Sequence, residues 1–244
     1  VSETQSAAGG QPGRAFWRGY RDCAPFILIV VPFSMLFGVV ARDAGLDVVQ
    51  TMTMAVLVIA GASQFTAVAL LQDQAPVFVA LAAALVVNLR MAMYSAALVP
   101  HLGHAPLGMR ALMAYLMVDQ AFAVAVRTYE DEPAMARSEK VAYYMGCMML
   151  ICPMWYLFTL VGALAGNLVP PVLELDFAAP VCFIALSAPL LRSAAHVVAA
   201  GVSVAAAILF HGLPWNLGLF AAALAAMVAG AQTELWLKRR RAAA

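Results

Sequence analysis

Charge is what this sequence lacks most. Charged residues make up 11% of it, against about 25% in ordinary soluble domains. A water-facing globule of this length could not be built on so few, so soluble functions, nucleic-acid binding among them, are excluded. Histidine and cysteine are scarce too, four of each. His101, His104, His196 and His211 form no ligand set, and the first two share a loop at a spacing typical of solvated side chains. Cys23, Cys147, Cys152 and Cys182 lie in or beside apolar runs. With no acid or histidine near Cys147 and Cys152, the thiols read as small buried groups rather than a metal site. A GxxxxGKS/T phosphate loop is missing, so this chain does not itself use ATP. Neither metal nor cofactor is expected, nor is enzymatic activity. The first ~24 residues also lack the short apolar core and cleavage site of a secretory leader.

What is present is apolar surface. Hydrophobic residues make up 64% of the chain, and the mean hydropathy is +0.88. Lipid can solvate that much apolar side chain where water cannot. A helix needs about 20 apolar residues to cross a ~30 Å hydrocarbon core. On that ruler, runs fall near 24–41, 51–71, 76–99, 110–127, 141–165, 177–191, 193–210 and 213–235. The reading is all-α: a polytopic membrane protein with about eight transmembrane helices, or seven if one of the pair around Pro189 and Arg192 is re-entrant. Residues 1–23 form an N-terminal segment, 24–235 a single transmembrane domain, and 236–244 a basic tail.

Charge placement orients the eight spans. One side gathers Arg14, Arg18, Arg21, Arg127, Arg137, Lys140, Arg192, Lys238, Arg239, Arg240 and Arg241, while the other holds Arg42 and Arg110. The basic side is expected to be cytoplasmic, with both termini there. The stretch RAFWRGYRDC (14–23) carries its arginines on one helical face and Phe16 and Tyr20 on the other. It reads as a surface helix in the headgroup layer or, alternatively, as a disordered lead into the first span. Tyr129 to Lys140 reads as a solvated connection.

Arg90 then stands out, because it falls near the middle of the run Pro76 to Val99. An uncompensated arginine there costs about 2.5–3.5 kcal/mol even on the translocon scale. Two neighbouring runs carry unusual residues at similar depth: GASQF (61–65) and VDQAF (118–122). Gly61, Ser63 and Gln64 suit either a helix break that binds a polar ligand or a small-residue packing face. Asn88 and Arg90 fall about 200° apart on a regular helix, so either the helix is irregular there or only one of them lines a pathway. Arg90 offers a forked donor to a carboxylate, or a structural partner to Asp119. Asp119 is the candidate for a proton-coupling carboxylate. Pro32 and Pro153 are expected to break the first and fifth spans.

Together GASQF, NLRM (88–91), VDQAF and LDFAAPVCFIALSAPLLRS (175–193) resemble the AzlC family, large subunits of two-component branched-chain amino-acid exporters. The resemblance spans roughly residues 16 to 195. Two positions depart from the family pattern: Met91 stands where histidine is frequent, and Gln120 where glutamate is. The resemblance implies export of valine, leucine, isoleucine and related zwitterionic amino acids from a bacterial cytoplasmic (inner) membrane, with a small AzlD-type membrane subunit as partner. The competing reading is an ion or small-solute channel filtered by Arg90 and Asp119.

Overall fold

The computed structural model describes residues 11–165, 191, 193–213 and 217–242. Helix is the only regular structure among them apart from turns. In lipid that follows from the need to satisfy every backbone amide within its own segment. The helices are α1 (Pro12–Asp22), α2 (Ile27–Asp43), α3 (Val48–Leu57), α4 (Gly61–Gln72), α5 (Val77–Leu102), α6 (Leu107–Tyr115), α7 (Asp119–Asp131), α8 (Arg137–Ala165), α9 (Ala194–Leu209) and α10 (Leu217–Ala242). Two compact units result: one built on α1 to α8 apart from Leu70–Val79, the other on that short stretch with α9 and α10.

In the first unit α8 is the spine. A Cβ added at Gly19 would strike the Tyr143 carbonyl, one at Gly146 the Phe16 carbonyl, one at Gly38 the Thr159 carbonyl, and one at Gly162 the Met35 carbonyl. These small residues let backbones meet directly. From the first crossing (16–19 with 143–146) to the second (35–38 with 159–162) the numbers rise together, so α1 and α2 run parallel to α8. Phe37 stacks on Trp155 beside the upper crossing, with ring centroids 6.1 Å apart. The membrane face where α8 begins is termed near, and the one where α2 and α8 end is termed far.

Residues 12–43, 77–102 and 137–165 are long and apolar enough to cross a membrane. The second and fourth expected spans are not built that way. Each is a helical hairpin that enters and leaves on one face. Around the fourth run (110–127), the chain leaves α5 beside the start of α8, where His104 Nε2 lies 3.2 Å from the Arg137 carbonyl. α6 then climbs along α8: the Tyr144 hydroxyl donates to Met113 O at 3.4 Å and the Cys152 thiol to Leu116 O at 3.5 Å. After Leu116–Val118 the chain turns back. By the end of α7, Tyr129 donates to Lys140 O at 2.7 Å and Thr128 pairs with Tyr143 at 2.9 Å. A straight crossing would put residues 104 and 129 ~38 Å apart, yet both sit at the first turn of α8.

The second run (51–71) forms a similar hairpin from the far face. α3 starts beside the end of α2, where Arg42 donates to Leu46 O at 2.8 Å, and Asp47 with Gln50 forms a capping box. After Val58–Ala60 the chain doubles back, so that Gln64 Nε2 reaches Met54 O at 3.1 Å. Phe65 lies against both Phe33 and Phe37, at 5.0 and 5.6 Å, further toward the end of α2. α5 therefore runs from the far face to the near one, where His101 Nδ1 lies 3.4 Å from Lys140 Nζ.

Several expectations need correction. Arg110, assigned to the side opposite the basic cluster, lies one turn into α6 and so belongs to the near face with Arg137 and Lys140. Pro32 and Pro153 do not break helices; α2 and α8 run through them. One missing amide bond is absorbed where the flanking turns pack firmly against a neighbour. The GASQF residues are helical, and the break lies immediately upstream. The breaks contain neither proline nor glycine, and their shielding is what lipid demands of non-helical backbone: Ile59, Ala60, Met117 and Val118 are all buried. Residues 12–22 are helical, bury Ala15 and Gly19, and continue through a 3₁₀ turn (Ala24–Phe26) into α2. Tyr129 and Lys140, placed in a solvated loop, are buried.

In the second unit α9 and α10 pair antiparallel, Gly230 lying against Ala199 and Gly218 against the Phe210 carbonyl. Ser193 caps α9. Helix continues through the expected tail to Ala242, with Lys238 paired to Glu234 at 2.8 Å. The expected span 177–191, apart from Leu191, lies outside the described residues, as do Cys182, Pro189 and Arg192.

Candidate functional site

The tips of the two hairpins meet halfway along α8. The Tyr115 hydroxyl, in the last turn of α6, donates to Val56 O at the end of α3 (2.6 Å) and lies 3.2 Å from the Tyr156 hydroxyl. Each return helix therefore starts at mid-depth, α4 at Gly61 and α7 at Asp119. The first amides of a helix have no partner within it, and the helix dipole makes that end positive. Each such end, at mid-depth in a membrane, favours an anionic group beside it.

Asp119 is the first residue of α7, and Arg90 reaches it from α5, Nη1 to Oδ2 at 3.0 Å. The contact uses only part of each group. Arg90 Nε and Asp119 Oδ1 are both enclosed without a hydrogen-bond partner. Tyr94, one turn beyond Arg90, stacks on Phe122 with centroids 4.1 Å apart, which sets its phenol beside the pair. An enclosed donor and acceptor left open on an ion pair cost free energy. A ligand carrying both an anionic and a cationic end would recover it.

The other residues singled out by sequence hold different positions. Gly61 faces Phe33 and Trp155, whose rings a Cβ would strike, so its size is set by packing. The buried Ser63 hydroxyl donates to Ala60 O at 2.9 Å, inside its own turn. Gln64 ties the arms of its hairpin through Nε2 and leaves Oε1 enclosed and unpartnered. Asn88 Oδ1 is in the same condition. Because α5 is unbroken through 88–90, Asn88 and Arg90 do face different ways. Arg90 and Asp119 are thus joined directly, while Gly61, Ser63 and Gln64 stand on the opposing hairpin. Sequence reading passed over Tyr156, Trp155 and Thr159. Trp155 Nε1 and Thr159 Oγ1 are further enclosed polar atoms without partners. Their signal was a polar, aromatic stripe on one face of an otherwise apolar run.

At the near face, Glu132 lies outside the crossing segments; the Arg18 guanidinium bonds both its oxygens and holds that carboxyl below its ordinary range. This clamps α1 to the end of α7. Among the described residues no group of histidine, cysteine and acidic side chains could hold a metal ion.

Helices of crossing length, hairpins shielded at mid-depth and an ion pair at that depth define a polytopic membrane protein. Residues 25–169 match the family described as AzlC protein, and the chain belongs to it. It is also 30% identical, over 217 residues, to an "Uncharacterized membrane protein" of Archaeoglobus fulgidus, an alignment covering 86% of this chain and 91% of the relative. No solved structure matches it. Membership of the AzlC family points to a role in transport.

Proposed function

We propose that this chain is the large subunit of a secondary exporter of apolar zwitterionic amino acids: valine, leucine, isoleucine and related side chains. The observation that carries the reading is the half-used ion pair. Arg90 Nε is a donor and Asp119 Oδ1 an acceptor without a partner, the one suited to an α-carboxylate and the other to an α-ammonium, both at mid-depth beside the start of a helix. A carboxylate arriving at Arg90 competes with Asp119. Asp119, thus released, is the residue we assign to the coupled proton. Substrate and proton are coupled in this way without a second acid, which suits a chain with Gln120 after the aspartate.

Orientation follows from the basic residues. Arg14, Arg18, Arg21, Arg110, Arg127, Arg137 and Lys140 belong to the near face and Arg42 to the far one, a bias that supports a cytoplasmic near face. The membrane is then a bacterial inner membrane, and a small AzlD-type subunit completes the complex.

The test is efflux of labelled valine and leucine from proteoliposomes under an imposed pH gradient, with and without the small subunit. Uphill, saturable movement that needs the subunit is the expected result. Downhill, non-saturating flux would replace the exporter with a channel, and full transport by the chain alone would remove the partner.

A further inference from the structure

Between the last turns of α5 and the ascending arm α6 lies a cavity of about 280 Å³. Leu98, Leu102, Met113, Met117 and Tyr144 supply much of its wall, and Arg110 is the one charged residue lining it. Arg110 is exposed, and no carboxylate pairs with it among the described residues. The cavity starts near Gly103 and Leu107 at the near face and ends at Met117, two residues before Asp119. None of the midplane chemistry described above uses it.

We propose that this cavity is an entry site for the exported amino acid. It holds the α-carboxylate on Arg110 and the apolar side chain against Met113 and Met117, before transfer to Arg90 and Asp119. The inference rests on the transport reading above. Three features favour this occupant. A lone cation at the wet end of an apolar cavity complements a small molecule with a charged head and an apolar body. The volume suits one such molecule. Unbranched, polarizable methionines adapt to different aliphatic shapes, as a carrier of several related side chains requires. Position completes the argument, because an exported substrate must enter from the near face and the cavity ends at Met117, two residues before Asp119 in the chain.

The experiment uses inside-out vesicles containing the chain with its small subunit, near face outward, and measures uptake of labelled leucine and alanine. Arg110→Gln should raise the KM for both about tenfold, the usual worth of a charged hydrogen bond, with kcat little changed. Arg110→Lys should recover most of that loss. Ala114→Phe, which narrows the cavity, should raise the KM for leucine about tenfold and that for alanine about twofold or less, because leucine needs the apolar volume. Variants matching wild type would overturn the entry site while leaving the exporter standing. So would equal losses for leucine and alanine in Ala114→Phe, or a retained phospholipid that saturating leucine does not displace. A wild-type complex that moves no amino acid would overturn the transport reading and this inference together.

Discussion

The re-entrant hairpins make the sharpest prediction, because a crossing arrangement and a returning one assign the same residues to opposite faces. Consider single cysteines at Asp43, Gly108 and Ala134 in a background freed of the native thiols. All three positions are exposed. If the second and fourth runs crossed, 43 and 108 would share one face and 134 would lie on the other. With returning hairpins, 43 lies on the far face, and 108 and 134 on the near face. The depths support the second pattern. α6 and α7 rise ~13 and ~19 Å, and α3 and α4 ~15 and ~18 Å, each well short of a ~30 Å core. A membrane-impermeant maleimide applied to right-side-out and inside-out vesicles should label 43 from one side only, and 108 and 134 from the other side only. Pairing of 43 with 108 would refute the hairpins, together with the midplane meeting of their tips.

Three further outcomes are expected. Arg90→Lys should impair efflux strongly, since an ammonium cannot replace the fork, while Asp119→Asn should abolish pH-driven net efflux yet spare exchange of labelled for unlabelled substrate; uphill transport by Asp119→Asn would make that aspartate structural. Tyr115→Phe deletes the bond between the hairpin tips and should cost about 0.5–1.5 kcal/mol, read as a lowered melting temperature in detergent and a changed transport rate, and an unaltered melt and rate would show the tips to be held elsewhere. Glu132 is held below its ordinary value of 4.5 by Arg18, so the clamp on α1 contributes fully above that value and is lost as pH falls through the depressed one; hydrogen exchange in α1 should quicken in acid, and Glu132→Gln should remove that acid dependence.

Much of this protein was legible in one dimension. Apolar content alone put it in lipid, and the cost of a charge at mid-span marked Arg90 and Asp119, because burial energetics depend on residue type and depth in a run. Their pairing could be named as an alternative but not chosen, since contact between α5 and α7 is a tertiary fact. The path of the chain was not legible. A run of about 20 apolar residues reads the same whether it crosses or turns back, and the turns at Val58–Ala60 and Leu116–Val118 use ordinary apolar residues. What breaks those helices is the surrounding structure. Tyr115 and Cys152 satisfy the carbonyls of Val56 and Leu116, Gln64 ties back to Met54 O, and burial shields the bare backbone. The prolines that sequence marked as breaks sit instead inside α2 and α8, which pack together through glycine contacts between helices far apart in the chain. Local composition fixed the solvent and the unusual charges. Which face each segment returns to was decided by hydrogen bonds between residues tens of positions apart, and no local signal records those.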